Sequence, residues 1–415
     1  MRHFIIYFCL ITVLLTSCND KKIAQIWTDR PEFALYGDYF NASQKHYKVN
    51  VKYVEFPSAQ LGRENRRKSD TSPDIVVGSW LKNISTSANF KSLDGLFGAN
   101  KLSRSVFYPR LLAAGRIDMN QYLLPVSFNL PALIFSKEKE LEISNSFTIN
   151  FEEIKKLSAK YNVIRNRSYT RMGFSPLWSD DFLMVTAMLF DSSFKEASPF
   201  TWDAAALNRS MNFVNDWTLQ INNDNQAEED FTFKYFIEPP EKLIQSGRIL
   251  FSYMGSSELF ILNEENKNFL DYRWIMEENK IPIAENAVFL GISKGGKSAK
   301  AAKAFIQWFF KIENQQLLLE FSKANRINET VFGICGGFSA IEAVTEQIFP
   351  RYYPSLFGRM PPPDFLTASN VLPENWALIR ERVVLPYLHD RARTKQTDEI
   401  MPLEKRLSEW QRVNR

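Results

Sequence analysis

The chain has 415 residues, 45% hydrophobic and 24% charged, with 51 basic against 47 acidic side chains and a formal net charge of +4. That is the balance of a soluble globular protein, long enough for two or three domains, and the chain shows no internal repeat and no low-complexity linker. Three cysteines and three histidines leave little material for histidine-built zinc sites or for Ser-His and Cys-His catalysis, while carboxylate-only chemistry stays open.

Met1 to Lys22 opens the chain. Arg2 and His3 give a weakly basic start, Phe4 to Leu15 is an apolar run broken by Thr12, and Leu15-Thr16-Ser17-Cys18 precedes Asn19, Asp20, Lys21 and Lys22. A basic start, a short apolar core and small residues before a cut mark a secretory signal. The cysteine after Thr16-Ser17 resembles the lipobox of bacterial lipoproteins, which implies removal of 1–17 and lipidation of Cys18. Plain secretion and a retained anchor are the alternatives, but the run is shorter than the roughly 20 residues a spanning helix needs. Nothing after residue 22 reads as a membrane span. Cys9 would leave with the leader and Cys18 would carry lipid, so Cys335 has no disulfide partner and reads as a buried small hydrophobe. His46 and His389 stand in no metal-ligand spacing, and no metal or cofactor is expected. Arg66-Arg67-Lys68, followed by Asp70, and Arg391 to Lys395, followed by Asp398 and Glu399, read as solvated faces rather than a nucleic-acid surface.

Ile23 to Trp27 reads as a strand and Thr28-Asp29-Arg30-Pro31 as a turn. Glu32 to Ala42 follows as a helix with apolar Phe33, Tyr36, Tyr39 and Phe40, and Pro31 suits its first turn. Val49 to Phe56 alternates as a second strand. Ile75-Val76-Val77 is a short run of the kind buried in a parallel sheet, ending at Gly78-Ser79-Trp80. Tyr122 to Pro125 and Leu130 to Phe135 read as strands around Val126 to Asn129. Phe151 to Tyr161, Trp178 to Phe190 and Leu207 to Ile221 read as helices, the second capped by Ser179 or Asp180. Asn222 to Asp230 reads as an exposed loop. Pro240 to Ser246 is a short helix stopped by Gly247, Ile249 to Met254 a strand ending at Gly255-Ser256-Ser257, and Glu258 to Glu264 a helix. Ala287 to Ile292 is a strand, and Ser298 to Ile312 is an amphipathic helix after the Lys294-Gly295-Gly296-Lys297 turn, which lacks the rest of a phosphate-loop pattern. Glu313 to Lys323, Phe338 to Gln347, Ala377 to Asp390 and Leu403 to Val413 read as helices.

Several segments, in this order, carry a resemblance. Ile26-Trp27-Thr28 before a helix, Asn50-Val51-Lys52-Tyr53, and Pro73-Asp74-Ile75-Val76 resemble the first lobe of bacterial extracellular solute-binding proteins, in the sugar-binding branch related to maltose-binding protein. Tyr122 to Pro125 with Ala132 to Phe135 is similar to that family's first crossing into a second lobe. Gly247 to Phe251 with Met254-Gly255 is similar to a second-lobe strand, and Ala287 to Ile292 with the helix to Phe310 resembles the return. The resemblance covers about 22–325 and has no counterpart for Pro361-Pro362-Pro363 or the basic tail.

The resemblance implies an α/β, two-lobed periplasmic-binding-protein-like fold (type II). Residues 22–127 plus 287–335 would form one lobe, 128–286 the other, and 336–415 a mainly helical region packed across both. It implies a monomeric, non-catalytic lipoprotein that captures a sugar or oligosaccharide and passes it to an ABC-type permease, outside the cytoplasm and without nucleic acid. A polyamine, peptide or phosphate ester is the alternative solute, and a carboxylate-based glycosidase or an adhesin the remaining readings.

Sugars present apolar ring faces and hydroxyl rims, so a site needs aromatic faces beside carboxylates, amides or arginines at strand ends and helix starts. That filter selects Trp27, Asp29 and Glu32 after the first strand, Trp80 after the buried strand, and Ser127 and Asn129 in the crossing. It also selects Trp178 and Asp180 at a helix start, Tyr253, Gly255 and Ser256 at a strand end, and Gly336 and Gly337 in a late loop. Trp202, Trp217, Trp274, Trp308 and Trp376 read as packing residues.

Overall fold

The computed structural model describes residues 22–67, 72–99, 101–197, 200–393 and 400–413. The expected leader 1–17 and the expected lipidation site Cys18 lie outside the described residues, as do Lys68, Asp70, Lys395, Asp398 and Glu399 of the charge clusters. Among the described residues no helix is long and apolar enough to cross a membrane.

In chain order the strands of the two main sheets are β1 (Ile23–Thr28), β2 (Lys48–Tyr53), β3 (Ile75–Ser79), β4 (Leu124–Phe128), β5 (Pro131–Ser136), β6 (Thr148–Ile149), β7 (Ser252–Gly255), β8 (Leu270–Ile275), β9 (Val288–Ile292) and β10 (Phe338–Ser339). The principal helices are α1 (Glu32–Ser43), α2 (Pro57–Arg67), α3 (Phe151–Tyr161), α4 (Asp180–Leu189), α5 (Ala204–Ile221), α6 (Asn225–Tyr235), α7 (Ala299–Phe309), α8 (Ile312–Ala324), α9 (Leu385–Arg393) and α10 (Leu403–Val413).

The first lobe is built on a six-stranded sheet of order β10-β4-β9-β3-β1-β2. β1 runs parallel to β2 and β3, while β9 is antiparallel to β3 and β4. The apolar run of β3 has a direct cause. Ile75 and Val77 point into the core shared with α1 and α7, and Val76 points into a second cluster with Leu61 and Phe90. Both faces are covered, so no position is free to be polar. The second lobe is built on a four-stranded sheet of order β7-β5-β8-β6, with β5 antiparallel to β7 and β8. β5 divides its residues the same way: Ala132 and Ile134 to one side, Leu133 and Phe135 to the other.

The chain leaves the first sheet through Asn129-Leu130, between β4 and β5, and returns between β8 and β9. A later segment, Leu366–Thr367, pairs in parallel with Ile281–Pro282 beside that return. From there Leu372, Trp376, Val383 and Leu388 pack on Leu183 of α4 and on Leu207 and Met211 of α5. Phe332, Phe338 and Tyr353 instead meet Phe260 and Phe349 in an aromatic cluster that also takes in Trp274 of β8.

Several expectations change, among them the helix expected at Glu258 to Glu264, which is two short ones, Ser256–Leu259 and Glu264–Phe269, and the interval Val126 to Asn129, most of which lies inside β4. Asn222 to Asp230 is not a loop: Asp224 caps α6 by accepting from Ala227 N at 2.7 Å, and buried Glu228 accepts from Asn222 Nδ2 at 2.6 Å, so polar residues here cap and bond rather than stay solvated. Phe338 and Ser339 form β10, antiparallel to β4, because Phe128 and Ser127 there offer a pairing edge that local helical spacing does not reveal. The strand expected at 249–254 begins at Ser252 and ends at Gly255. β8, unassigned in the sequence, is the middle of the second sheet. It alternates Leu270, Tyr272 and Trp274 into one core with Asp271 and Arg273 on the other face. Arg273 is 1% exposed and is satisfied by Asp271 Oδ2 at 2.8 Å and the Asn145 carbonyl at 2.6 Å.

Candidate functional site

The first-lobe wall begins where β1 and β3 end. Gly78 is required there: a Cβ would sit 2.7 Å from Pro57 Cγ and 3.2 Å from the Asp29 carboxylate. Asp29 Oδ1 is 3.2 Å from Arg30 Nε, yet the two are not aligned for a hydrogen bond, and both stay buried without one. Burial raises the Asp29 carboxyl above its usual range, with the Arg30 charge opposing. Glu32 is also raised, first by burial, and its Oε2 is buried without a partner. Arg30 Nη2 donates to Ser79 Oγ at 2.8 Å, and that hydroxyl donates to the Asn286 carbonyl at 2.6 Å, tying this wall to the return crossing. Trp80 follows with φ 55°, a left-handed conformation uncommon for a bulky residue. Its indole packs against the cluster that includes Leu372 and Trp376, and its Nε1–H is buried without an acceptor.

Asp29, Phe56 and Trp80 on this wall face Glu196, Asn375 and Leu378 across a groove of about 860 Å³. The volume lies within the usual range of small-molecule sites. Of the residues here with a buried polar atom lacking a hydrogen bond, Asp29 and Trp80 line the groove and Glu32 does not.

The crossing residues 127–130 are not among those lining this groove and carry a polar joint of their own. Asn129 Nδ2 donates to the Gly336 carbonyl at 2.9 Å, and its Oδ1 accepts from Ser256 Oγ at 2.6 Å. One side chain thus joins the outgoing strand, the late loop and the start of a second-lobe helix. On the second-lobe side, Tyr253 lies near Asp181, Glu258 and Arg380, and burial pushes its phenol up. Glu258 is raised by burial and then by Asp181. Arg380 bonds Asp181 and sits 3.6 Å from Glu285 Oε2, which also accepts from Trp376 Nε1 at 3.0 Å. Burial pushes Glu285 up to about 6, against the lowering by Trp376 and Arg380.

The structure puts Asp29 and Trp80 on one groove, leaves Glu32 outside its lining, and joins Asn129 to Ser256 and Gly336. Other sequence candidates lie elsewhere. Trp27 is buried in the sheet beneath Lys52, whose ammonium is 5.2 Å from the ring. Trp178 packs on Phe231 and Phe236, with centroids 5.8 and 4.7 Å away, and its Nε1 donates to Thr232 Oγ1 at 3.1 Å, so both ring and donor are used in packing. Asp180 is exposed, with Oδ1 2.6 Å from His389 Nε2, while Ser179 is the residue that caps α4. Ser127 is buried against the Cys335 carbonyl at 3.4 Å. At Gly337 a Cβ would sit 2.6 Å from the Phe128 carbonyl oxygen, so this glycine serves strand packing. Gly255 pairs with Pro131 at the end of β7. Asp181, Glu258, Glu285 and Arg380 went unselected. Asp181 and Glu258 were legible as neighbours of chosen helix starts. Glu285 and Arg380 carried no signal, since only the docking of Trp376 onto the crossing brings them together. Among the described residues no group of three or more His, Cys, Asp and Glu is placed to hold a metal ion.

The architecture is that of known two-lobed binding proteins. The sugar-binding protein MalE from Xanthomonas citri is 13% identical, with 94% of this chain and 96% of that chain covered and a TM-score of 0.68. The ABC substrate-binding protein Lmo0181 from Listeria monocytogenes, solved in complex with cycloalternan, is 14% identical over 95% and 98% of the chains, with a TM-score of 0.61. A maltose/maltodextrin-binding domain from Bdellovibrio bacteriovorus, bound to maltotriose, is 15% identical over 95% and 100%, at 0.57. These likenesses concern the fold, and no curated protein matches the chain. Residues 27–316 match the family described as bacterial extracellular solute-binding protein, which is more than half of the chain, and the protein belongs to that family.

Proposed function

We propose that this protein captures a carbohydrate in the groove between Trp80 and the 373–378 segment and hands it to an ABC-type permease. The observation that carries the reading is that Asp29 Oδ1 and Trp80 Nε1, both buried without a hydrogen bond, belong to residues lining the same groove. A sugar ring would stack on the indole while its hydroxyls bond the carboxylates. Proteins of the same fold are described as bound to cycloalternan and maltotriose, which supports the same class of solute. Binding would be reversible and non-covalent, with ligand contacting both walls and shifting the population towards a closed form. The hinge would lie at the crossings near 127–128 and 286–287, with Asn129 as its polar joint.

The lipobox supports a body tethered outside the cytoplasm through Cys18. Mass spectrometry of the amino-terminal peptide from membrane fractions tests it, and a free, unmodified Cys18 or a leader still attached would refute it. The solute is tested by a thermal-shift screen of mono- and oligosaccharides, amino acids and polyamines. Calorimetry then follows on Trp80→Ala, which is expected to weaken carbohydrate binding by about 1–3 kcal/mol. Unchanged affinity in a folded variant would sink the Trp80 assignment. A second reading has its own observation: Asp29, Glu55, Glu196 and Glu374 line the groove against Arg63, which suits a polyamine. Stabilisation by polyamines and none by any sugar would select it.

A further inference from the structure

A second cavity, of about 720 Å³, lies on the first lobe away from the interlobe groove. Its floor is apolar: Phe40 and Leu102 are buried, and Trp308 meets Phe40 edge to face at 5.7 Å. Its rim carries Lys22, Lys101 and Lys311, all exposed, and no carboxylate is among its lining residues. Lys101 Nζ donates to the Gly95 carbonyl at 2.9 Å. An apolar floor under a ring of ammonium groups fits an amphiphilic anion. Lys22 is also where the described chain begins, four residues after Cys18, a separation that spans at most about 14 Å of extended chain. We infer that this cavity takes an anionic phospholipid of the bilayer that holds the tether, seating its phosphate on the lysines and its glycerol backbone on Trp308 and Leu102. Contact at this point would set the orientation of the body on the membrane, where a tether alone leaves it free to tumble.

The inference uses the proposed anchor for its geometry, so its test is run without lipid on Cys18. Every described strand and helix starts at or after Ile23, so the chain from residue 18 onward contains the described fold. That chain, carrying Cys18→Ser, is co-sedimented with vesicles of phosphatidylcholine alone or with one third phosphatidylglycerol. Binding is expected on the anionic vesicles only, and to weaken as salt is raised. Joint Lys22→Ala, Lys101→Ala and Lys311→Ala substitution should weaken it roughly a hundredfold, at about fivefold per lysine. The same substitutions at Lys156, Lys294 and Lys405, exposed elsewhere, should leave it within about threefold. No binding to anionic vesicles, or equal losses in both triple variants, overturns the inference. Complete competition by millimolar inorganic phosphate also overturns it, in favour of a site for free anions. Melting temperatures of both variants, matched to the parent, exclude misfolding. None of these results bears on whether Cys18 is lipidated, which mass spectrometry reads separately.

Discussion

Glu285 sits on the return crossing with its side chain 11% exposed. Its Oε2 accepts from Trp376 Nε1, and Arg380 and Asp181 are close by. Burial is the largest influence and pushes the carboxyl from 4.5 to about 6, the Trp376 hydrogen bond and the Arg380 charge only partly offsetting it. A folded value above the unfolded one means that stability from this group is full below pH 4.5. It is lost as pH rises through about 6. At 1.36 kcal/mol per unit, the loss across that window is about 2 kcal/mol. Glu285→Gln keeps an oxygen for Trp376 and removes the charge. The difference in unfolding free energy between variant and parent should therefore move by about 2 kcal/mol between pH 4 and pH 7.5, in the variant's favour at the higher pH. Urea unfolding of both proteins at half-unit pH steps measures that difference, and other buried carboxyls such as Glu32 and Glu258 cancel from it. Parallel stability curves across the whole range would refute the burial argument, and a shift of opposite sign would mean that Arg380 and Trp376 dominate.

Trp178→Ala should act on stability rather than on ligand, costing about 3–5 kcal/mol through the cavity left among Phe174, Phe231 and Phe236. Unchanged urea midpoints with weakened binding would reverse that assignment. Asp271 is disfavoured as an anion by burial, but hydrogen bonds from Arg359 and Arg273 outweigh this and hold it below its usual 3.8. Its contribution is therefore present above that value and lost as pH falls below it. Arg359→Ala should cost about 2–3 kcal/mol near neutral pH, and an acid midpoint that does not move upward would contradict this. Cys335 is 2% exposed and burial pushes its thiol up, so a thiol reagent should label it only after unfolding. Asn129→Ala removes the bonds to Gly336 and Ser256, and an unchanged ligand affinity together with an unchanged melting temperature would deny Asn129 its role as the joint of the crossing.

Much of the two-lobed fold was legible because its strands and helices carry local signals. The apolar triplet of β3 and the alternation of β2 could be read directly, as could the spacing of Phe33, Tyr36 and Phe40 along α1. β8 was less legible. Its alternation is regular, but Asp271 and Arg273 imitate a solvated segment until their mutual ion pair is seen. α6 was hidden for a related reason, since Asp224 and Glu228 look like loop residues until one caps the helix and the other bonds Asn222. At the candidate site, the turn after β1 and the end of β3 pointed to Asp29 and Trp80, which line the groove, and to Glu32, which does not, because strand ends of an α/β lobe open on a cleft. The same rule selected Trp27 and Trp178, and it failed there because aromatic residues are as useful for packing as for stacking.

Sequence by itself determined what is local: the apolar run Phe4 to Leu15 ahead of Cys18, the alternation that makes strands, and the spacing that makes helices. Each of those is written within a few residues, where sterics and hydrophobic periodicity act. The tertiary structure decided which indoles remain available. Trp80 keeps an unpartnered Nε1 beside the groove while Trp178 gives its donor to Thr232. It also decided that Trp376 and Arg380 meet Glu285 across 91 and 95 positions of chain, and that Lys22, Lys101 and Lys311 share one rim. Those outcomes depend on the packing of distant surfaces and on which buried polar atoms find partners, and no short stretch of sequence contains either.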